Sequence, residues 1–581
     1  LTAFASTLAT IWRLAAPYFR GEDRWPGRTL LAAVIAIELS IVAINVLLNQ
    51  WNARFFNAIQ DRDWDGFVAE LIYFCTLAAA YIVLAVYQLY LNQWLQIRWR
   101  RWMTAQYLDR WLEDANHYRM QILGDAADNP DQRIAEDIRL FIERTLRIGI
   151  GLLSAIVSLA SFVAILWTLS AAAPLPLFGT TWTIPGYLVW VALIYAMAGT
   201  LVTHLIGRSL IRLNFEQQRY EADFRFNLVR VRENAEQIAL LDGEPAEHTR
   251  LMDRFGRVVS NWLAIMRLQK RLTFFTAGYR QVSNVFPYIV VSPGYFAGHL
   301  QLGTLTQTAS AFSTVQSAFS FFIDVYVEFA EWRAVIARLE GFDAAARNAA
   351  AAATTPPVIV ISRTGGNAVA MRDLSVNLPT GRPIVAARDL TFAAGEPALL
   401  TGPAGSGKSS LFRAIGGIWP FGTGTITVPR GARLMILPQR PYLPVGTLEA
   451  AVSYPAPPGA YDRSRIADTL AAVGLPALGA RLDEDAHWHR ILSPGEQQRL
   501  AIARALLHAP DWLLLDEATA SIDEPGEAQL YHLIQERLPN TTIVSIGHRS
   551  SLRPFHRRHL IIDLGPTGCR VRDMPVAAAA Q

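Results

Sequence analysis

The stretch Gly402-Pro403-Ala404-Gly405-Ser406-Gly407-Lys408-Ser409 decides how the second half of this chain folds. An apolar run at 397–401 precedes it and a helical pattern at 410–415, opened by Ser410, follows it. Strand, glycine-rich turn, helix is the context in which backbone N–H groups close around phosphate oxygens at a helix start. Lys408 adds a compact positive charge, and the Ser409 hydroxyl suits Mg2+. The lysine is itself informative. Lys270 and Lys408 are the two lysines, and the rest of the 53 basic residues are Arg. A planar guanidinium does not fit the same cradle.

Working outward, other patterns share this chemistry. Trp512-Leu513-Leu514-Leu515-Asp516-Glu517 reads as a buried strand ending in two carboxylates. Asp516 suits a water-mediated contact with Mg2+, and Glu517 suits a base that polarises an attacking water. Ser493-Pro494-Gly495-Glu496-Gln497-Gln498-Arg499 opens an apolar helix shortly before that strand. Gln439 follows the apolar strand 434–437, and His548 follows the strand 542–546, within reach of a γ-phosphate. Short strands alternating with helices from 358 to 574 predict an α/β domain.

The first half has a different composition. Hydrophobic residues make up 52% of the chain, charged residues 18%, and mean hydropathy is +0.21, which excludes a disordered chain and argues against an ordinary soluble enzyme. Cys75 and Cys569 are too few for a disulfide framework or a Cys-rich zinc module. A bilayer span needs roughly 20 apolar residues. Six runs qualify, near 29–49, 67–91, 148–169, 184–207, 282–300 and 303–327, the fifth broken by Pro287 and Pro293. Buried helices of a soluble protein are the alternative, but such long runs are rare in soluble cores. Residues 1–20 read as an amphipathic helix on the membrane surface. Segment 92–145 holds eight Arg and segment 208–281 thirteen basic residues, whereas 170–183 holds none. Basic loops stay in the cytoplasm, so both long hairpins, the N-terminus and everything after 328 are expected there. The net charge of +4 does not imply a nucleic-acid partner. Residues 343–357 form a low-complexity linker whose Ala run can be helical until the Pro pair, and 575–581 a tail.

Together these motifs resemble the ATP-binding cassette family over 358–574. Residues 402–409 are similar to its Walker A, 513–516 to its Walker B, 493–497 to its signature and 520–523, ending in Asp523, to its D-loop. Gln439 and His548 take the places of its Q- and H-loop residues, and Gln439 is implied as a further Mg2+ contact. The resemblance implies ATP and Mg2+ as cofactors and two cassettes closing head to tail, so that Ser493, Gly495 and Glu496 of one chain cover the ATP of the other. With one cassette and six spans, it implies a half-transporter working as a homodimer in the lipid bilayer. Its fold is expected to be an all-α six-helix transmembrane domain of exporter type followed by an α/β P-loop nucleotide-binding domain. Such cassettes stack adenine on an aromatic about two dozen residues before the phosphate loop. Here Leu378 stands near that place, and Tyr454 in Val452-Ser453-Tyr454-Pro455 is the candidate substitute.

Residues 400–420 with 438–442 resemble the peroxisomal acyl-CoA half-transporters and their bacterial relatives. Residues 107–112, 128–137 and 233–240 are similar to the bacterial SbmA/BacA-like group, in its cassette-fused YddA and BclA types. That implies a bacterial inner membrane and uptake of bulky hydrophilic cargo such as antimicrobial peptides, bleomycin-like compounds or cobalamin. An exporter of lipid, acyl-CoA or drug, and a membrane ATPase that moves nothing, remain the alternatives. Residues 125–137 read as a turn between cytoplasmic helices, and 236–243 lead to a turn near Asp242-Gly243. At hairpin tips these are placed to press on the cassette near Gln439, with solvated hairpins that have no coupling role as the alternative. Polar residues inside spans are costly and so mark function. Glu38 and Asn45, seven apart, share a helix face and suggest a wet cargo chamber, with helix packing as the alternative. Asp324, Glu328 and Glu331 also share a face, read as an acidic lining or as solvated charge.

Overall fold

The computed structural model describes residues 2–124, 129–172, 175–177, 180–182, 185–298, 300–565 and 568–574. The expected tail at 575–581 and residues 125–128 of the first hairpin lie outside them. Packing divides the chain into two compact units, residues 1–108 with 129–341, and residues 109–128 with 342–581.

The first unit is built from long helices. In chain order the helices of the membrane half are α1 (Thr2–Ala15), α2 (Arg24–Gln60), α3 (Trp64–Leu112), α4 (Asn116–Leu123), α5 (Ile138–Ala172), α6 (Tyr187–Glu233), α7 (Ala235–Leu240), α8 (Glu244–Phe296) and α9 (Leu302–Ala352). A small hairpin, β1 (Leu175–Leu177) with β2 (Thr180–Trp182), follows α5. Helices α2, α3, α5 and α6 each carry a stretch long and apolar enough to cross a membrane. The fifth and sixth expected spans fall on α8 and α9, which are continuous helices of 53 and 51 residues.

Pro287 and Pro293 do not break α8, as their positions suggested; both lie inside it. A proline leaves the carbonyl four residues earlier without its helical donor. For Pro293 that carbonyl is Ile289, and the Ser292 hydroxyl donates to it at 3.3 Å. Such local replacement is how membrane helices tolerate proline.

Several polar groups inside the bundle are paired between helices, while the buried Asn52 and Asn92 side-chain oxygens have no hydrogen-bond partner within the protein. Glu38, which is buried, accepts from Gln88 of α3, so the structure joins it to a packing partner rather than to a stripe with Asn45. Asn49, one turn beyond Asn45, makes the cross-helix contact, donating to the Gln307 carbonyl at 3.0 Å and accepting from the Gln307 amide at 3.2 Å. Arg54 meets Glu70 at 2.7 Å. Tyr195 and Tyr279 stack at 4.6 Å, and each hydroxyl donates to the other's backbone carbonyl. The N-terminal stretch does not lie wholly on a surface, because Tyr18 is buried and stacks on Trp99 at 5.6 Å.

Toward the start of α5 the charges are paired as well. Glu328 meets Arg147 at 2.9 Å and Glu331 meets Arg144 at 2.5 Å, so these two carboxylates are neutralised rather than forming a bare acidic lining. Residues 129–137 are not an open polar turn. Pro130–Gln132 and a π-helical turn, Arg133–Asp137, lead directly into α5. The Asp137 carboxylate is buried there and accepts from Arg338 at 2.6 and 2.9 Å and from Arg133 at 2.8 Å.

The second unit is a cassette with α4 attached. Asp114 and Ala115 adopt left-handed backbone (φ 47° and 60°), which ends the long run of α3 and turns the chain into α4. Asn116 donates to the Ala346 carbonyl at 3.1 Å and Arg119 to the Ala349 carbonyl at 3.0 Å, while Arg110 meets Asp343 at 3.1 Å. The alanine run is therefore the packed last turns of α9 rather than a loose linker. Tyr118 and Ile122 of α4 pack against the cassette core around Phe412 and Trp419.

The cassette strands are β3 (Val360–Thr364), β4 (Ala368–Asn377), β5 (Pro383–Ala387), β6 (Leu390–Ala393), β7 (Ala398–Thr401), β8 (Gly422–Pro429), β9 (Leu434–Leu437), β10 (Gly446–Thr447), β11 (Asp485–Ala486), β12 (Trp512–Asp516), β13 (Thr542–Ile546), β14 (Arg558–Gly565) and β15 (Gly568–Asp573). The main sheet runs β3-β8-β4-β5-β15-β14-β7-β13-β12-β9, with β6 beside β4 and the short pair β10 and β11 apart. Strands β14, β7, β13, β12 and β9 are mutually parallel. Their near-continuous apolar runs, such as Leu513–Leu515, are buried on both faces, as parallel strands require.

Removing a carboxylate from a buried pair leaves uncompensated positive charge. Asp137→Ala is expected to destabilise the first unit by about 3 kcal/mol, and Asp137→Ala with Arg338→Ala by less than the sum of the two. Thermal unfolding of the purified protein measures both.

Candidate functional site

The phosphate loop leaves the C-terminal end of β7 and feeds α10 (Lys408–Ile415). Gly407 has φ 91°, and a Cβ there would lie 2.6 Å from Ile384 Cγ2, so only glycine fits between the loop and β5. The Lys408 ammonium donates to the Gly402 and Pro403 carbonyls at 2.8 and 2.9 Å. Burial pulls its pKa down, against the charges of Glu517 and Asp516. The Ser409 hydroxyl donates to Asp516 at 2.9 Å. Burial raises the pKa of Asp516, opposed by that hydrogen bond and by Arg413.

Three more loops leave the same edge of the parallel sheet. Glu517 follows β12 with φ 52°, a left-handed conformation that costs a non-glycine residue about 1 kcal/mol. Its carboxylate stands between Gln439, whose Nε2 donates at 3.2 Å, and His548, whose Nε2 lies 3.1 Å away. The four loops close round one cleft of about 880 Å³. It is lined by Ala404 to Ser410, Arg413, Pro438 to Arg440, Asp516, Glu517 and His548, and also by Leu378, Arg382, Pro383, Ile384 and Cys569.

The expected signature and D-loop residues stand elsewhere. Among the described residues that line the cleft, none of Ser493, Gly495, Glu496 or Asp523 is found. Ser493 caps helix α11 (Pro494–His508) in a reciprocal box, its side chain accepting from the Glu496 backbone while Glu496 accepts from Ser493 N at 2.8 Å. The Ser493 hydroxyl, which also donates to the Glu496 carboxylate at 2.7 Å, and the Ser493 backbone N–H hold that carboxyl below the usual range, so it serves the cap. A Cβ on Gly495 would lie 3.1 Å from the Ser521 carbonyl, which sets signature and D-loop side by side. Asp523 is the N-cap of helix α12 (Glu524–Arg537).

Tyr454 is not in the cleft. Its ring lies 5.4 Å from Tyr442 and under the Arg504 guanidinium at 5.4 Å, so the proposed substitute for an adenine platform packs on α11 instead. Sequence reading also missed Glu527 and Arg549. Buried Glu527 accepts from Thr519 at 2.5 Å and Ser551 at 3.1 Å, and Arg549 donates to the Ile522 and Ala520 carbonyls at 2.6 and 3.0 Å. Together they tie the loop after Glu517 to the loop after His548. A carboxylate beside the known motif in helix α12 was the only available signal.

The donor set fits a nucleoside triphosphate with Mg2+. The buried Ser406 hydroxyl has no hydrogen-bond partner within the protein, and it sits in the loop where phosphate oxygens are accepted. Ser409, Asp516 and Gln439 offer the oxygen ligands a hard cation takes. Bound Mg2+ neutralises phosphate charge. Glu517 is placed to orient a water and accept its proton, and His548 and Gln439 hold that carboxylate in position.

Residues 14–296 match the family model described as ABC transporter transmembrane region 2, and residues 386–520 that described as ABC transporter. The inner membrane ABC transporter ATP-binding protein YddA of Escherichia coli is 34% identical over 538 residues, covering 92% of this chain and 94% of that protein. The mouse (Mus musculus) lysosomal cobalamin transporter ABCD4 is 26% identical, covering 91% of this chain and 89% of that one. The solved structure of a bacterial Atm1-family ABC exporter with ATP bound aligns with TM-score 0.70 at 17% identity, over 92% of this chain and 93% of that chain. The chain belongs to the ABC transporters. Within that class it is a half-transporter, a helical membrane region followed by one ATP-hydrolysing cassette that uses Mg2+.

Glu517→Gln is expected to bind ATP but lose turnover by about 100-fold or more. Lys408→Ala is expected to weaken ATP binding itself by about tenfold or more, since a charged hydrogen bond is worth about 1.5–3 kcal/mol. Nucleotide binding and phosphate release, measured separately on the two variants, check both.

Beside the phosphate loop and the catalytic carboxylates, the described lining includes the aliphatic side chains of Leu378, Pro383 and Ile384 with the Arg382 guanidinium, and no Phe, Tyr or Trp. Contacts to base faces alone do not tell adenine from guanine. GTP is therefore expected to be hydrolysed with a KM within about threefold of that for ATP. Arg382→Ala should raise both by about two- to fivefold, the size of an exposed cation–π contact. Steady-state kinetics with the two nucleotides measures this.

Proposed function

We propose that this chain works as a homodimer in a bacterial inner membrane and uses ATP to import bulky hydrophilic cargo, peptide- or cobalamin-like. The cargo reading is carried by one observation. A cobalamin transporter matches the chain through the membrane half as well as the cassette, over nine-tenths of both proteins. The similarity of residues 107–112, 128–137 and 233–240 to the SbmA/BacA-like group supports the same cargo class. In this reading both basic hairpins and the cassette face the cytoplasm.

Dimerisation is supported by the position of the signature. Ser493, Gly495 and Glu496 stay off their own chain's cleft and stand beside the D-loop, as they must if they cover the nucleotide of a second copy. At the tip of the second hairpin Leu240, the last residue of α7, and Leu241 just after it are exposed, at 76% and 81%. An apolar pair there is suited to docking on a partner cassette. Lys408, Ser406 and the phosphate-loop backbone bind the triphosphate, Ser409, Gln439 and Asp516 hold Mg2+, and Glu517 is the base assisted by His548.

Uptake of labelled cobalamin and of a labelled cationic peptide by intact cells tests the proposal. Cells producing the wild-type chain should accumulate at least one of them, and cells producing Glu517→Gln should not. Accumulation in inside-out vesicles, with none in cells, would show export and overturn the direction assigned here.

A further inference from the structure

Gln498 lies one turn into α11 and is buried, with 2% of its surface exposed. Its side chain reaches two loops at once. Nε2 donates to the Gln439 carbonyl at 3.0 Å, and Oε1 accepts from the Ser521 backbone N–H at 2.8 Å. The amide serves here because it donates through nitrogen and accepts through oxygen at the same time. A carboxylate has no donor and a thioether has neither capacity to spare.

Both loops border Glu517. The Gln439 side chain donates to the Glu517 carboxylate at 3.2 Å. Ser521 is four residues beyond Glu517, after a turn in which Ala520 N donates to the Glu517 carbonyl at 3.1 Å. The hydrogen bonds thus make a closed ring: Glu517 to Gln439 through side chains, Gln439 to Gln498 to Ser521, and back along the chain to Glu517. Glu517 holds a strained φ of 52°, and such a conformation persists only where its surroundings fix it.

We infer that Gln498 is a positioning residue for hydrolysis, clamping the Gln439 loop and the turn after Glu517 so that the carboxylate keeps one orientation. The clamp acts through Gln439 rather than on the nucleotide, because Gln498 does not line the cleft. It rests on Glu517 as the base, and the test separates the two.

The full-length protein, purified in lipid-supplemented detergent, is assayed for ATP binding and steady-state hydrolysis. Gln498→Met keeps the length and volume of the side chain and removes both bonds. It should lower kcat about tenfold while leaving the KM and the ATP dissociation constant within about threefold. Gln498→Asn, one methylene short, carries the same test if the methionine variant folds poorly, and should fall between it and wild type. If the clamp works through Gln439, the double variant with Gln439→Ala should be no slower than the slower single variant, within about twofold. A merely structural role predicts instead losses that multiply, or a KM that rises as kcat falls; either result overturns the inference, as does wild-type turnover in Gln498→Met. Glu517→Gln is run alongside. Full turnover in that variant removes the base assignment itself, whereas its inactivity with an unaffected Gln498→Met removes only the clamp.

Discussion

The parallel register of β7, β13, β12 and β9 is the constraint on which the chemistry depends. Ile546 pairs with Leu400 on one side and Asp516 on the other, and Leu515 pairs with Leu437. Because these strands end level, the residues just beyond them, Gly402, Glu517, Gln439 and His548, arrive at one place. Side chains alternate along a strand, so a slip of one residue would turn Asp516 into the sheet and bring Leu515 to the edge. The strands are held between two apolar cores, one packed with α11 and containing Leu513 and Leu515, the other packed with α10 and containing Leu514. Ligands in open α/β sheets gather at this carboxyl edge for the same geometric reason.

The membrane half is organised by a different necessity. In hydrocarbon an unpaired polar group costs several kcal/mol, which favours polar side chains that are met from a neighbouring helix. Glu38 with Gln88, Asn49 with Gln307 and Arg54 with Glu70 link helices that would otherwise meet only through apolar side chains. Toward the start of α5 the ties become ionic, with Asp137 held by two guanidinium groups. An ion pair out of water repays its desolvation only with good geometry, and the two-bond contact from Arg338 supplies it.

Much of the nucleotide site was legible because its residue types are fixed by chemistry and its spacing by strand and helix lengths. Lys408, Ser409, Asp516 and Glu517 need no partner distant in sequence to be recognised, and the structure brings them together with Gln439 and His548. What escaped was whatever depends on contacts far apart in the chain. Tyr454 had the right chemistry for a base platform, yet Arg504, fifty residues on, takes its ring. Asp137 read as a turn residue because its partner Arg338 is two hundred positions away. Asn45 shares a face with Glu38, but which face meets Gln88 and Gln307 is set by helix packing that periodicity does not encode. Pro287 and Pro293 gave a break signal that is valid in water and weaker where Ser292 can replace the missing donor. Gln498 was visible as a letter beside the signature, but its two partners are loops, and only the folded cassette brings them within reach.

The alanines at the end of α9 have a consequence for how this joint can change over time. Asn116 and Arg119 address main-chain carbonyls of Ala346 and Ala349, not side chains. A helix reached in that way presents the same oxygens whatever its sequence, provided nothing bulky stands between. The seam therefore reads slenderness, not identity. Mutational drift in the membrane helices can remodel a cargo path without renegotiating the attachment of α4, so long as those few positions stay small.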